Sequence, residues 1–322
     1  MSTIDNDAQS TLQGLLNNND LSQSQASELL TLLTNEDLDK NLAGDILKAM
    51  VAKGETAEEI LGFSFRMREL ARKPRINTKD TMLDVVGTGG DSSGSFNLST
   101  GAALLLAACG RTVVKHGNRS VTSRSGSADV LESLGLPLPL DEKQSGQCLD
   151  ATGFTFLFAP YYHPAMKALA EVRRAIGIRT VFNLLGPLTN PAQPGHLLLG
   201  AYSPGAARIM AETLAGAGVQ KAYVVHGEPG WDEATPVGPF LTFIVNPGNV
   251  RCETRDPANY GLKRCSPESL SGGDADSNAK ALQSVFCGED RGPHRDALLL
   301  AAGLGLELTD KVPDIRQGIE KA

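Results

Sequence analysis

The sequence predicts an α/β protein in which a domain built on a parallel sheet is joined to a smaller, all-helical domain. From residue 76 onward, strand-like and helix-like runs alternate, which is typical of a parallel sheet covered by helices on both faces. Residues 1–72 instead show helical periodicity throughout. A length of 322 residues allows one large or two ordinary domains.

The N-terminal segment is predicted to form packed helices. Capping-box spacing, at Ser22–Gln25 and Thr56–Glu59, precedes two apolar-periodic runs. No residue of this segment suggests chemistry, so we assign it to packing and to an oligomer surface. Arg72–Arg75 has a proline after a basic helix end, which places the boundary of a helical domain at 1–75.

The alternating segment is predicted to supply five strands and four helices. The strand-like runs are Leu83–Val86, Thr112–Val114, Thr155–Phe158, Leu197–Ala201 and Ala222–Val225. The helix-like runs are Leu98–Cys109, Ala128–Leu134, Glu142–Ala151 and Ala206–Ala215. Glycines follow three of these helices at the position where a left-handed residue commonly ends a helix.

An insertion interrupts this alternation. An amphipathic helix is predicted over His163–Ile176, and the apolar segment Thr180–Pro191 follows it. We expect residues 162–190 to complete the helical domain, which leaves 76–161 and 191–322 to the α/β domain. The ligand cleft would then lie between the two domains, where small-molecule sites are common.

Two polar blocks follow predicted strands and are candidates for anion binding. Asp84–Asp91 reads Asp-Val-Val-Gly-Thr-Gly-Gly-Asp, and its glycines allow backbone N–H groups to approach a phosphate closely. Asp91 needs a sugar hydroxyl or a metal ion as its partner, because it would repel a phosphate. The second block, Lys115–Arg119, combines cations, an imidazole and an amide. Two such loops on neighbouring strands predict a phosphorylated sugar as the ligand.

Hydroxyl-rich segments extend both blocks. Residues 95–100 open a helix with hydroxyl and amide groups, which favours phosphate binding over a simple turn. Residues 122–127 continue the second block with further donors. Within that run, Ser127 is also expected to cap the helix that begins at Ala128.

The local pattern does not decide whether two charged pairs have a functional or a structural role. Asp232 and Glu233 follow a predicted strand, on a loop that we expect to be solvent-accessible. Adjacent carboxylates are more often solvated surface than ligands, but a bound polyphosphate would make them suitable for magnesium. Arg173 and Arg174 lie near a helix end, where they could favour the helix dipole or clamp a carboxylate. The pattern leaves both interpretations open.

Composition argues against several classes of protein. A net charge of −7 argues against nonspecific nucleic-acid binding, which needs a basic face. No apolar run has the length of a membrane span, and we expect no signal peptide. The five cysteines include no Cys-x-x-Cys, so neither a disulfide framework nor a zinc site is predicted. We therefore expect a cytoplasmic protein without nucleic-acid or membrane partners.

Taken together, these motifs make the sequence resemble the anthranilate phosphoribosyltransferase family over nearly the whole chain. Seven blocks occur in the family's order and spacing: Gly-Thr-Gly-Gly-Asp (87–91), Asn-Leu-Ser-Thr (97–100), Lys-His-Gly-Asn-Arg (115–119), Ser-Gly-Ser-Ala-Asp (125–129), Val-Arg-Arg-x-x-Gly (172–177), Phe-Asn-Leu-Leu-Gly-Pro-Leu-Thr-Asn-Pro (182–191) and Asp-Glu (232–233). The segment 228–239 around the last block departs from the family's usual flanks. The resemblance implies the nucleoside phosphorylase/phosphoribosyltransferase type of fold and a homodimer formed through the N-terminal helices.

The resemblance also implies a reaction and a set of site residues. The reaction transfers the phosphoribosyl group of 5-phosphoribosyl 1-diphosphate to anthranilate, in tryptophan biosynthesis. The implied contacts to the phosphoribosyl donor are Gly87, Gly90, Asp91, Ser95, Asn97, Leu98, Ser99, Thr100, Lys115, His116, Gly117, Asn118, Arg119, Ser120, Val121, Thr122, Ser123 and Ser127. The implied contacts to anthranilate are Gly87, His116, Asn118, Arg173 and Pro187. The implied magnesium ligands are Ser99, Asp232 and Glu233, and no residue is assigned as a nucleophile.

Three alternative functions remain open from the sequence. A pyrimidine nucleoside phosphorylase of the same fold would use inorganic phosphate, and the blocks at 125–129 and 172–177 argue against it. A non-catalytic paralogue that binds nucleic acid should have a basic groove, whereas this chain is acidic. The same transfer onto another aromatic amine is left open by the segment 228–239.

Overall fold

The computed structural model describes residues 3–120 and 124–322. In chain order the helices and strands are α1 (Thr3–Leu16), α2 (Gln23–Leu33), α3 (Lys40–Lys53), α4 (Ala57–Leu70), β1 (Leu83–Gly87), α5 (Leu98–Ala108), β2 (Val113–Gly117), α6 (Ser127–Ser133), α7 (Glu142–Thr152), β3 (Phe154–Phe158), α8 (Ala159–Tyr162), α9 (Lys167–Ile176), α10 (Phe182–Leu185), β4 (His196–Gly200), α11 (Pro204–Gly216), β5 (Lys221–Gly227), β6 (Phe240–Asn246), β7 (Asn249–Arg255), α12 (Ala275–Phe286), α13 (Pro293–Leu308) and α14 (Ile315–Lys321). Two compact units are formed: one contains the chain up to Arg72 together with Pro160–Pro191, and the other contains Lys73–Ala159 and Ala192–Ala322.

The first unit is entirely helical. Both predicted capping boxes are present, at Ser22 with Gln25 before α2 and at Thr56 with Glu59 before α4. Each cap satisfies backbone N–H groups that a helix start leaves open, which is worth about 1 kcal/mol. Glu59 also accepts a hydrogen bond from the Leu21 N–H group (2.9 Å), so the same carboxylate links the starts of α2 and α4.

The predicted helix over residues 163–176 is present, but its first turn is a 3-10 turn, Pro164–Met166, that runs directly into α9 at Lys167. α8 ends before it, at Tyr162. Pro164 lacks the N–H group that would continue α8, so a new helical segment begins there. The predicted amphipathic character holds for α9, in which Leu169 and Val172 are buried.

The second unit is an α/β domain with one seven-stranded sheet, in the order β3-β2-β1-β4-β5-β6-β7. All five predicted strands are present and parallel. The antiparallel hairpin of β6 and β7 was not predicted. β1 and β2 are neighbours in the sheet, so the two polar blocks leave it side by side.

Helices bury the sheet in an apolar core. α5 and α13 pack against each other, and Leu106 and Leu304 from these helices share one buried cluster with Val85, Phe156 and Val225 from the strands. α11 packs on β5 and β6. Within the described residues, no helix is long and apolar enough to cross a membrane.

Candidate active site

The glycine-rich loop after β1 wraps around a carboxylate that comes from a distant part of the chain. The Gly89 N–H group donates to Asp232 Oδ2 (2.6 Å), and the Thr88 hydroxyl lies 3.4 Å from the same oxygen. Gly89 and Gly90 have φ of 68° and 71°, a region that favours glycine. A Cβ at Gly87 would collide with the Asp232 carboxylate. The glycines therefore allow the loop backbone to lie directly against the Asp232 carboxylate.

Asp91 connects the loop to the same carboxylate segment. Its Oδ2 accepts a hydrogen bond from the Asp232 N–H group (3.2 Å). Its Oδ1 accepts from the Ser93 N–H group (3.1 Å) and from the Ser93 hydroxyl (2.9 Å). Residues 141 positions apart in the chain are thereby held together at the end of β1.

Glu233 reaches the start of α5. Its Oε1 accepts a hydrogen bond from the Ser99 N–H group (3.1 Å), one of the first-turn donors that a helix leaves without intrahelical partners. The Lys115 ammonium donates to Ser99 Oγ (3.2 Å) and to the Val85 carbonyl. Because Lys115 is 1% exposed, its charge faces inward, toward this cluster. Ser99 therefore contacts both the buried Lys115 ammonium and Glu233, the neighbour of Asp232 in the chain.

The expectation of a solvent-accessible carboxylate loop is wrong. Asp232 is only 7% exposed and Glu233 is half-buried. The cause is not local: Gly87 and Gly200 lack side chains, so the ends of β1 and β4 admit the backbone and side chain of Asp232 between them.

Burial disfavours the ionised forms of the Asp232 and Glu233 carboxylates. Burial, the nearby Asp91 charge and the Glu233 charge raise the pKa of Asp232 well above its usual range. Burial raises the pKa of Glu233 to about 7, although the Lys115 ammonium opposes this shift. The pKa of Lys115 is itself lowered by burial, which the Asp84 carboxylate opposes. A cation bound beside the two carboxylates would favour their charged forms.

The residues present fit magnesium held jointly with a ligand. Magnesium in phosphate sites is commonly bound by one or two carboxylates, with water and phosphate oxygens completing the shell. Across residues 3–120 and 124–322, no three His, Cys, Asp or Glu side chains converge as a dedicated metal site. The buried Thr100 hydroxyl, in the first turn of α5, has no hydrogen-bond partner in this described part. This hydroxyl is suited to donating a hydrogen bond to a ligand oxygen.

The second polar block ends β2 and is fixed by buried groups. The Asp84 carboxylate accepts a hydrogen bond from the His116 N–H group (3.2 Å). A Cβ at Gly117 would collide with the Ser127 hydroxyl and the Phe156 ring. Ser127 is the first residue of α6 rather than its cap, since Gly126 precedes the helix; its hydroxyl donates to the Asn118 carbonyl (3.1 Å). The predicted cap at Ser127 is therefore wrong, and this hydroxyl instead ties α6 to the block.

Arg119 is directed toward α6. Its guanidinium forms ion pairs with Asp129 (2.9 Å) and with Glu132, and it lies over the Phe158 ring. The Ser120 N–H group donates to Asp129 as well. Of the predicted donor contacts, Val121, Thr122 and Ser123 lie outside the described residues.

The α5 start includes one contact that the sequence did not indicate. Asn97 Oδ1 accepts a hydrogen bond from Asn278 Nδ2 (2.8 Å), and Asn97 Nδ2 donates to the Ser125 carbonyl (3.4 Å). Asn278 is buried on α12 and follows no local motif, so only the tertiary structure identifies it. Ser95 lies beside this segment in a short bridge to Ser271.

Arg173 and Pro187 belong to the helical unit. Arg173 is half-buried on α9, with its guanidinium carbon 5.3 Å from the centre of the Phe182 ring, and burial lowers its pKa. Its neighbour Arg174 is exposed. Pro187 is buried in the turn that follows α10. The structure therefore distinguishes Arg173, the arginine that the resemblance assigns to anthranilate, from Arg174 by its burial.

Comparisons with known proteins agree with this architecture. A family described as "Glycosyl transferase family, a/b domain" matches residues 79–322, and one described as "Glycosyl transferase family, helical bundle domain" matches residues 9–71. The anthranilate phosphoribosyltransferase of Rubrobacter xylanophilus is 42% identical over 94% of this chain and 88% of its own length. The chain belongs to the anthranilate phosphoribosyltransferase family. The enzyme of Pelotomaculum thermopropionicum is 44% identical over 94% of this chain and 87% of its own length.

Solved anthranilate phosphoribosyltransferases also share the fold. The crystal structure from Thermus thermophilus matches with a TM-score of 0.90 and 41% identity, covering 97% of this chain and 92% of that one. The enzyme from Saccharomyces cerevisiae, in complex with PRPP and Mg, matches with a TM-score of 0.88 and 26% identity, covering 98% and 92%. The predicted helical domain with an α/β domain is confirmed as the fold class.

Proposed function

We propose that this chain transfers the phosphoribosyl group from 5-phosphoribosyl 1-diphosphate to anthranilate, giving N-(5-phosphoribosyl)anthranilate and pyrophosphate in tryptophan biosynthesis. The observation that carries the proposal is the pair of buried Asp232 and half-buried Glu233, bonded to the glycine-rich loop on one side and to the α5 start on the other. Carboxylates held beside a glycine-rich loop and a helix start suit a metal ion together with a diphosphate.

The electrostatics of the site suit loss of a diphosphate group. Breaking the C1–O bond places positive charge on the ribose ring and negative charge on the leaving group. Magnesium held by Ser99, Asp232 and Glu233 would neutralise charge on the leaving diphosphate. The first turn of α5 offers donors at the same place, including the Thr100 hydroxyl.

The acceptor needs positioning more than activation. An aniline nitrogen is neutral near pH 7, so its attack on C1 requires no strong base, and we assign no nucleophilic residue and no covalent intermediate. Orientation of this nitrogen supplies much of the remaining rate. Arg173 is the group that we propose for the acceptor carboxylate, because a guanidinium can hold it by two parallel hydrogen bonds. Support on the Phe182 ring fixes the guanidinium for that role.

We extend the proposal to a cytoplasmic homodimer assembled through the N-terminal helices. Leu16 on α1 and Val51 on α3 are apolar and exposed, at 59% and 37%. All five cysteines are free thiols, as is usual in a reducing compartment. Sedimentation velocity of wild type and of a Leu16→Glu/Val51→Glu variant tests the assembly, since the variant should sediment as a monomer.

The activity is tested by following the loss of anthranilate fluorescence after addition of 5-phosphoribosyl 1-diphosphate with Mg²⁺. Parallel reactions with aniline, and with uridine plus phosphate, test the alternative acceptor and the nucleoside phosphorylase. Rapid anthranilate consumption and no uridine cleavage are expected. Uridine cleavage without anthranilate consumption would refute the proposal.

A further inference from the structure

The segment that leads into the site carboxylates ends in Trp231, the single tryptophan of the chain. Its side chain is 5% exposed. The Trp231 N–H group donates to the Gly227 carbonyl (2.8 Å), and the Gly227 N–H group donates to the Trp231 carbonyl (2.9 Å). At the other end of the loop, the Glu228 N–H group donates to the Pro239 carbonyl (3.1 Å). The β5–β6 loop is therefore closed by hydrogen bonds, and Asp232 follows directly after one of these closures.

The indole ring belongs to a buried apolar cluster that also holds the approach to α5. Its members are Phe96, Leu98, Val130, Trp231, Leu270, Leu282, Ala297 and Leu298. The Phe96 N–H group donates to the Leu270 carbonyl (3.0 Å), which ties the segment before α5 to the same cluster. Ser99 follows Leu98 in the chain, just as Asp232 follows Trp231. The two halves of the carboxylate and hydroxyl cluster are thus attached to one apolar cluster.

We propose that Trp231 is a positioning residue for the metal–diphosphate site, because it fixes the Asp232–Glu233 backbone relative to the first turn of α5. The proposal rests on the function proposed above for this site. Ligands to a metal must be held within about 0.5 Å of their productive positions, and groups behind them supply this precision. The hydrogen bond from the Ser99 N–H group to Glu233 joins the two segments, the α5 start and the carboxylate segment, whose separation the apolar cluster maintains. A smaller side chain at position 231 leaves a cavity into which the backbone relaxes.

Simple core packing is the rival explanation, and a matched variant separates the two. Leu308 is fully buried at the C-terminal end of α13, in the separate apolar cluster that contains Leu106 and Leu304. Leu308→Ala creates a cavity comparable to that of Trp231→Leu, and both should lower the melting temperature. A positioning role predicts that only the Trp231 variant also alters ligand binding.

Calorimetric titration with pyrophosphate and Mg²⁺ measures this directly, without anthranilate or turnover. Trp231→Leu should weaken pyrophosphate–Mg²⁺ binding about tenfold, corresponding to about 1.4 kcal/mol, whereas Leu308→Ala should stay within about twofold of wild type. Trp231→Phe should recover most of the affinity, because its ring refills the cluster. If Trp231→Leu does not fold, Trp231→Met is compared with Leu308→Ala in the same way.

Steady-state kinetics and fluorescence provide independent readouts. Trp231→Leu should raise KM for the phosphoribosyl donor and leave KM for anthranilate within about twofold. Wild-type tryptophan emission should change on addition of pyrophosphate with Mg²⁺, since Trp231 is its sole source. Unchanged affinity in Trp231→Leu, or equal weakening in Leu308→Ala, would show that the indole only packs. Absence of transfer to anthranilate would refute the proposed function, while the binding comparison would still decide the role of Trp231.

Discussion

Replacing Arg173 by alanine should remove recognition of the acceptor carboxylate while sparing the phosphoribosyl donor. The guanidinium is half-buried and supported by the Phe182 ring, so much of its dehydration is complete before the acceptor arrives. A charge-assisted pair at such a site contributes about 2–3 kcal/mol, which corresponds to a loss of about 30- to 150-fold in kcat/KM for anthranilate. Arg173→Lys should recover only part of this loss, because an ammonium group cannot bind a carboxylate in two parallel hydrogen bonds.

Arg174 provides the matched control, since it has the same charge on the next position of α9 but is exposed. The assay compares initial rates with anthranilate and with aniline for wild type, Arg173→Ala and Arg174→Ala. Wild type and Arg174→Ala should strongly prefer anthranilate, and Arg173→Ala should lose most of that preference with little change in KM for the donor. Equal behaviour of the two variants, or an Arg173→Ala enzyme that still rejects aniline as strongly as wild type, would refute the reasoning.

Further predictions concern the carboxylate cluster. Glu233→Gln should weaken Mg²⁺–pyrophosphate binding by at least about tenfold in calorimetry, and wild-type affinity in this variant would contradict the magnesium assignment. Gly87→Ala should raise the Mg²⁺ concentration needed for half-maximal activity, because the added Cβ displaces Asp232; an unchanged requirement would show that the close approach is dispensable. The raised pKa of Glu233, about 7, means that the folded metal-free protein holds a proton that the unfolded chain releases. Its melting temperature should therefore fall as the pH rises from about 5 to about 8, and Glu233→Gln should flatten this slope; the same slope in both proteins would exclude Glu233 as the cause.

The sequence predicts local features of this fold well and long-range features poorly. The capping boxes and the five parallel strands follow from residue patterns within a few positions, and all of them are present. The hairpin of β6 and β7 was not predicted, although Asn246–Asn249, with its Pro-Gly centre after a β-branched and aromatic run, is a recognisable hairpin signal.

The burial of the carboxylates had no local signal. An Asp-Glu pair after Pro-Gly is typical of solvated loops, and its burial here depends on missing side chains at Gly87 and Gly200. The contact between Asn97 and Asn278 is likewise visible only after folding. At Gly90, which has φ of 71°, any side chain is strained, so a substitution there does not isolate the approach of the diphosphate. Tertiary packing therefore changes which substitutions are informative.

The central claim is tested most directly by the stoichiometry of one reaction. Purified wild-type protein is mixed with anthranilate, 5-phosphoribosyl 1-diphosphate and Mg²⁺. Anthranilate, pyrophosphate and N-(5-phosphoribosyl)anthranilate are then quantified by liquid chromatography and mass spectrometry. We expect one pyrophosphate and one N-(5-phosphoribosyl)anthranilate for each anthranilate consumed, and no reaction after chelation of Mg²⁺. Pyrophosphate release that does not depend on anthranilate, or product formation that persists without divalent metal, would contradict the account.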